Sequence, residues 1–399
     1  ERKGGHRVRL EAGDLWLGEL LARHRDTPPP AGRAGPDDPA SILMSGGTTG
    51  TPKGVVGLHR HYTITGTQIA TWLSSGTTPW EDVVLAPLPL FHSLANIGIQ
   101  SVALRNHAAI ALVPDPRDLK DLLHTIDKVR PTSFSGVPAL YNAMINHPDV
   151  RAGKIDFSSV KVCFSGAAPL LAETKRRFEE LTGGRIVEGY SLTEAMLACA
   201  VNPVNGPNKL GSVGMPLPDV EIRVVDPDTG KGPLEPGEVG EVLIRAPQLM
   251  AGYWNDPGET ASTVQTHDGD RWLHTGDLGY LDEDGYLFIV DRLKDLIKTS
   301  GYQVWPREIE EAVAAHPAVA EVGVAGVPHQ TRGEVAKAWV VLRPGQRATA
   351  EEIRDFCRDR LAPYKVPAQV EFRDALPTTM AGKVLRRALT AGDRPAPAP

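Results

Sequence analysis

Between Ser41 and Tyr190 the chain repeats one pattern, in which a short apolar run gives way to a stretch with helical spacing. The runs are "ASILM", "DVVLAP", "AAIALV", "VKVCFSG" and "RIVEGY", and the helical stretches include "HYTITGTQIATWL", "DLKDLLHTIDKV" and "LAETKRRFEEL". Strands alternating with helices in this way predict largely parallel sheets covered by helices, so the expected fold class is α/β. In such sheets ligands gather beyond the carboxyl ends of the strands. Several Gly-rich segments here fall directly after an apolar run, and chemistry is expected in those loops.

The texture changes along the chain. "DTPPPAGRAGPDDPA", Asp26 to Ala40, reads as a surface connection. From Gly211 to Val290, segments such as "VEIRVVDPDTGKGPLEPGEVGEVLIR" predict a β-rich subdomain, closed by "DEDGYLFIVDR". The last hundred residues carry two helix patterns, "PREIEEAVAAH" and "AEEIRDFCRDRL", among strands "VAEVGVAG", "AKAWVVL" and "VEFRDALP". They predict a small α+β domain. A chain of 399 residues has room for two or three domains. The expected division is 1–292, with the β-rich part at about 211–290, and 293–399.

Composition excludes several classes. A net charge of −6 and a pI near 6.1 argue against general nucleic-acid affinity. Cys163, Cys199 and Cys357 are far apart and form no CxxC pair, so neither a disulfide framework nor a zinc site is expected, and a reducing cytoplasm is. No apolar run approaches the ~20 residues of a membrane span, which leaves peripheral membrane contact open. The chain shows no secretory signal and opens on "ERKGGHRVRL" like the interior of a domain, so an N-terminal part is expected to be missing.

The stretch "SGGTTGTPKGV", Ser45 to Val55, combines glycines, threonines and one lysine. Glycines let the backbone approach a ligand, while hydroxyls and backbone N–H groups can donate to phosphate oxygens. Lys53 adds positive charge, but it follows Pro52 and precedes Gly54, so the Walker pattern GxxxxGK[ST] fails. An ordinary mobile turn would fit this loop equally well. Four other segments share its logic. "EGYSLTEA" offers Tyr190, whose ring can stack on a base, then Thr193 and Glu194, a hydroxyl and a carboxylate suited to an acyl phosphate and Mg²⁺. In isolation it could be a helix N-cap. "WLHTGDLG" sets Asp277 in a Gly-bounded turn, where a carboxylate can accept from both ribose hydroxyls, although such an aspartate usually caps its own backbone. "VDRLKDLIKTSGYQV" adds Arg292 and several lysines, by default a solvated charged turn. "LPTTMAGKVLRR" carries Lys383, of a type usually found simply on the surface.

In this order the five segments resemble the adenylate-forming superfamily, specifically its fatty-acid or carboxylate CoA ligases. The resemblance covers nearly the whole chain. It implies a large domain that binds ATP and the acyl group, followed by a small mobile lid domain. It also implies a two-step reaction in one pocket: a carboxylate attacks the α-phosphorus of MgATP to give acyl-AMP, and the thiol of coenzyme A then displaces AMP. Both transition states carry extra negative charge on oxygen, so preorganised donors and a metal matter more than an acid–base pair.

By the same resemblance Thr48, Thr49 and Lys53 hold the β- and γ-phosphates, Thr193 contacts the α-phosphate and Glu194 binds Mg²⁺. Asp277 and Arg292 hold the ribose, and Tyr190 stacks on the adenine beside Gly166, Ala167 and Ala168 of "SGAAP". His92 of "PLFHSLAN" helps to shape the acyl pocket; a lone histidine is otherwise more often structural. Lys383 bridges the substrate carboxylate and the α-phosphate in the first step only. The C-terminal domain then swings about Lys294 and brings the loop around Gly301 to a pantetheine tunnel. Where the family has glycine after the motif tyrosine, this chain has Ser191, which puts the acyl length in doubt. Two other readings remain: a ligase that loads a separate carrier protein, and a non-catalytic nucleotide-binding fragment.

Overall fold

The alternation of short apolar runs and helices resolves into a seven-stranded sheet in the computed structural model. Its spatial order is Ala109–Leu112, Val83–Ala86, Ser133–Gly136, Val162–Ser165, Arg185–Leu192, Leu197–Val201 and Met215–Pro216. The first five strands are mutually parallel and the last two antiparallel. The structure describes residues 15–28, 32, 34–45, 52–166, 170, 172–378 and 384–390.

Helix Leu119–Val129 illustrates how the sequence sets this layer. Asp118 caps its start by accepting from the N–H of Asp121, and Arg130 ends it in a left-handed conformation. The i, i+3, i+4 spacing of Leu119, Leu122, Leu123 and Ile126 turns one face inward. That face packs with Phe134, Tyr141 and Phe178, and the Phe178 ring meets the other two edge-on. Each fully buried side chain of this size contributes about 1.5–3 kcal/mol.

A second, antiparallel sheet contains Glu221–Val225, Gly240–Arg245, Asp270–Leu281 and Val264–His267, with Leu287–Arg292 paired on Asp270–Leu281. A third is built only from residues 297–372. Helices Pro306–Ala314 and Ala350–Arg358 cover it, burying Ile309, Val313, Ile353 and Cys357 against Val324 and Val340.

Two local expectations change. "ASILM" is a strand, Pro39–Met44, but it pairs antiparallel with Gly54–Leu58 in a separate small sheet. The backbone N–H of Ser45 donates to Lys53 O at 2.8 Å, so the two described ends of the Gly/Thr-rich stretch lie side by side. Tyr190 and Asp277 stand inside strands, not in loops, because Arg185–Leu192 and Asp270–Leu281 run past both positions. "LANIGI", Leu94–Ile99, forms a π-helix leading into helix Gln100–Arg105. Among the described residues no helix is long and apolar enough to cross a membrane.

Candidate active site

Tyr190 and Asp277 lie far apart in sequence on two different sheets. The Tyr190 hydroxyl donates to Asp277 Oδ2 at 2.6 Å, and Arg292 Nε lies 3.0 Å from Asp277 Oδ1. Strand pairing sets the second contact, since Asp277 and Arg292 are direct partners in the antiparallel ladder. The backbone is held as well: Asp277 N–H donates to Thr275 Oγ1, which donates to Val242 O. Burial, and then the neighbouring Asp277 charge, push the Tyr190 phenol well above its ordinary range, so it stays a donor.

Glu194 sits in a 3₁₀ turn, Thr193–Ala195, directly after the strand that carries Tyr190. Tyr253 donates its hydroxyl to Glu194 Oε1 at 2.9 Å, and Met250 N–H donates to Glu194 O. Lys53 lies 5.1 Å from the centre of the Tyr253 ring and pairs with Glu259. A cation, two carboxylates and a phenol thus converge between the start of strand Gly54–Leu58, the turn and helix Pro257–Thr263. Lys294 lies in the turn Leu293–Asp295. Desolvation of its ammonium, followed by repulsion from Arg292, lowers its proton affinity, with Asp277 and Lys53 also within electrostatic reach.

An apolar cavity opens at this cluster. Tyr190, Ser191, Gly166, Leu73, Val102 and Leu197 are among its lining residues, with Asp82 and Asn106 as polar members. The π-helix residues Leu94, Gly98 and Ile99 form part of the wall. π-Helical turns concentrate at functional sites. A Cβ on Gly98 would come within 2.6 Å of Leu197 Cδ2, so this glycine leaves space that a side chain would take. His92 opens the segment: its Nδ1 accepts from Leu94 N–H at 3.2 Å, and burial lowers its pKa and keeps it neutral.

Of the residues expected from sequence, Tyr190, Asp277, Arg292, Lys294, Lys53 and Glu194 are thus linked by contact or by charge. Thr193 is beside them in the same turn. Gly166 ends the strand next to Tyr190's, and a Cβ there would meet only Gly189 O, at 3.8 Å. Gly301 has φ +83° in the hairpin between Ile297–Thr299 and Tyr302–Val304, a conformation that favours glycine. Thr48, Thr49, Ala167, Ala168 and Lys383 lie outside the described residues.

Sequence reading missed Tyr253, Glu259 and Glu188. Glu188 is buried in "EGYSLTEA"; its Oε1 accepts from Leu170 N–H, and its Oε2 has no partner among the described residues. Burial raises its pKa against the pull of Lys175. An acidic residue inside an apolar strand was the available signal.

The chain belongs to the AMP-binding enzyme family, whose model matches residues 5–254, with the family's C-terminal domain matched over 308–383. It is 43% identical over 352 residues to a long-chain-fatty-acid–CoA ligase of Bacillus subtilis, covering 88% of this chain and 61% of that protein. The chain therefore spans about three fifths of that relative's length. ATP-bound MatB from Rhodopseudomonas palustris is 34% identical with a TM-score of 0.81, over 90% of this chain and 69% of that one. Apo MatB gives a TM-score of 0.69 at 33% identity, over 90% and 68%. The o-succinylbenzoate CoA synthetase MenE of B. subtilis, with ATP and magnesium ion, is 30% identical with a TM-score of 0.76, over 90% and 71%.

Proposed function

We propose that the protein carrying this chain is an ATP-dependent acid–thiol ligase that joins a carboxylic acid, with an aliphatic fatty acid as the favoured class, to coenzyme A. One observation carries this reading: Tyr190 both bonds Asp277 of the Asp277–Arg292 pair and lines the apolar cavity. A nucleotide grip and an acyl slot therefore meet at one residue. The carboxylate oxygen of the acid attacks the α-phosphorus of ATP; the bond to the β-phosphate oxygen breaks and pyrophosphate leaves. The deprotonated thiol of coenzyme A then attacks the acyl carbon, and AMP leaves with the electron pair of the broken C–O bond.

Each group then has a task. Asp277 and Arg292 hold the ribose, and Tyr190 faces the base. Lys53, with Thr48 and Thr49, holds the β- and γ-phosphates, and Thr193 the α-phosphate. Mg²⁺ bound with ATP would supply neutralisation of the phosphate charge. Glu194 suits it as a single hard oxygen ligand, since Mg²⁺ commonly takes one or two carboxylates and keeps several waters. His92 supports the acyl-pocket wall, and Gly301 lines the path of the pantetheine arm after the domain at 293–399 turns about Lys294. Three buried free thiols, Cys163, Cys199 and Cys357, support a cytoplasmic location.

The test is mass spectrometry of products from MgATP and a mixture of short, aromatic, medium and long acids, with coenzyme A present or omitted. Acyl-CoA formed only with coenzyme A supports the ligase. Acyl-AMP without thioester moves the reading to carrier loading, and no product defeats it.

Two variants extend the test. Leucine at Gly98 would fill the cavity against Leu197 and Leu94. With about 0.8 kcal/mol per buried methylene, excluding two methylenes is expected to cut kcat/KM for long acids roughly tenfold and to spare short ones. Parallel loss for all lengths would remove Gly98 from the acyl path. Glu259→Gln frees Lys53 for phosphate. Exposed pairs are worth ~0.2–1 kcal/mol, so the KM for ATP should fall by at most about fivefold, and less at high salt. A rise in KM would mean that Glu259 helps to bind the nucleotide.

A further inference from the structure

Where the 1–292 and 293–399 parts meet, one arginine gathers three carboxylates. Arg386, in helix Arg386–Leu389, places Nη1 3.1 Å from Asp291 Oδ1 and 2.9 Å from Asp295 Oδ2, and Nη2 2.9 Å from Glu310 Oε2. The acids come from three elements: strand Leu287–Arg292, turn Leu293–Asp295 and helix Pro306–Ala314. Asp291 is the most confined, with its side chain only 2% exposed. It also accepts from the N–H groups of Arg292 and Arg307, so it joins the end of the large domain to the start of the small domain's first helix. Glu310 is pinned by Val324 N–H. Among the described residues Arg386 is the side-chain cation that bonds all three acids.

Three acids converging without that guanidinium would repel one another at low solvent exposure, so Arg386 determines whether this arrangement holds. It stands three residues after Lys383 in sequence. The chain also superposes on ATP-bound MatB with a higher TM-score than on apo MatB. We infer that Arg386 is a positioning residue for the first half-reaction: bridging Asp291, Asp295 and Glu310, it holds the C-terminal domain in the orientation that makes acyl-AMP. This inference rests on the ligase reading above. Of the three acids only Asp291 precedes Lys294, so leaving that orientation for the thioester step requires Arg386 to let go of Asp291.

The test measures the two half-reactions separately on the complete protein: pyrophosphate release from acid and MgATP, and thioester formation from supplied acyl-AMP and coenzyme A. Arg386→Met keeps the apolar stem and removes the charge. Misplacement of this kind is expected to slow acyl-AMP formation about 10- to 100-fold, with thioester formation unchanged or faster. Arg386→Lys should restore part of the loss, and Asp291→Asn, which weakens the contact that crosses the boundary, should move both rates in the same directions by less. Should Arg386→Met fail to fold, Asp291→Asn decides. Equal loss of both half-reactions, or no change in either, overturns the inference. A wild-type protein that performs neither half-reaction overturns the ligase reading instead, and the inference with it.

Discussion

With Lys383 replaced by alanine, acyl-AMP formation is expected to fall by about 10²- to 10³-fold, the cost of losing one positioned donor to developing oxyanion charge. Thioester formation from supplied acyl-AMP is expected to survive. The asymmetry follows from where charge sits. In the first step a carboxylate must approach an α-phosphate of the same sign, a repulsion of roughly 4 kcal/mol at 4 Å for an effective dielectric near 20. An ammonium between the two reverses that term. In the second step the acyl carbon is already esterified, so the same cation has no pair of anions to join. Lysine suits this role as a compact point charge on a flexible stem, and Lys383→Arg should rescue poorly because the planar fork sets different distances. Pyrophosphate release and thioester formation, measured separately, decide the matter. Equal loss in both would remove Lys383 from its assigned step.

How far the sequence could be read depended on distance along the chain. Apolar runs such as "VKVCFSG" and helix patterns such as "DLKDLLHTIDKV" became Val162–Ser165 and Leu119–Val129, because burial periodicity is a local property. The strand Ser133–Gly136 was not legible: "SFSG" has one large apolar residue, and its neighbours on both sides hold it in the sheet. "ASILM" was legible as a strand but not in its pairing, which the fold-back at Ser45 and Lys53 determines. Tyr190 and Asp277 were each legible as candidates, whereas their bond crosses 87 positions and two sheets. Tyr253 reaches Glu194 across 59 positions, Glu259 reaches Lys53 across 206 and Arg386 reaches Asp291 across 95. Glycines mark a phosphate loop within a few residues, but no short window shows which acid will face which base. That is why the candidate segments could be picked out one by one and the Arg386 network could not.

Asp277→Ala is expected to impair both half-reactions, which separates its role from that of Lys383. If the carboxylate holds the ribose, it acts on ATP before the first step and on acyl-AMP before the second. A hydrogen bond to a charged group contributes ~1.5–3 kcal/mol, so losing two ribose contacts, offset in part by water, should lower kcat/KM for ATP by about 10²- to 10³-fold. The fold also suffers, because the buried Tyr190 hydroxyl loses its acceptor at a cost of ~1–3 kcal/mol. Asp277→Asn separates the two effects. Its amide oxygen still accepts from Tyr190, so thermal unfolding should stay close to wild type. The charge opposite Arg292 is gone, however, and an amide accepts from only one oxygen, so nucleotide binding should remain weak. Titration with ATP and with a non-hydrolysable acyl-AMP analogue, alongside the unfolding temperature, distinguishes these roles. Asp277→Asn protein that binds both nucleotides as wild type does, while Asp277→Ala protein merely melts earlier, would reduce the Tyr190–Asp277–Arg292 group to a structural clasp between two sheets.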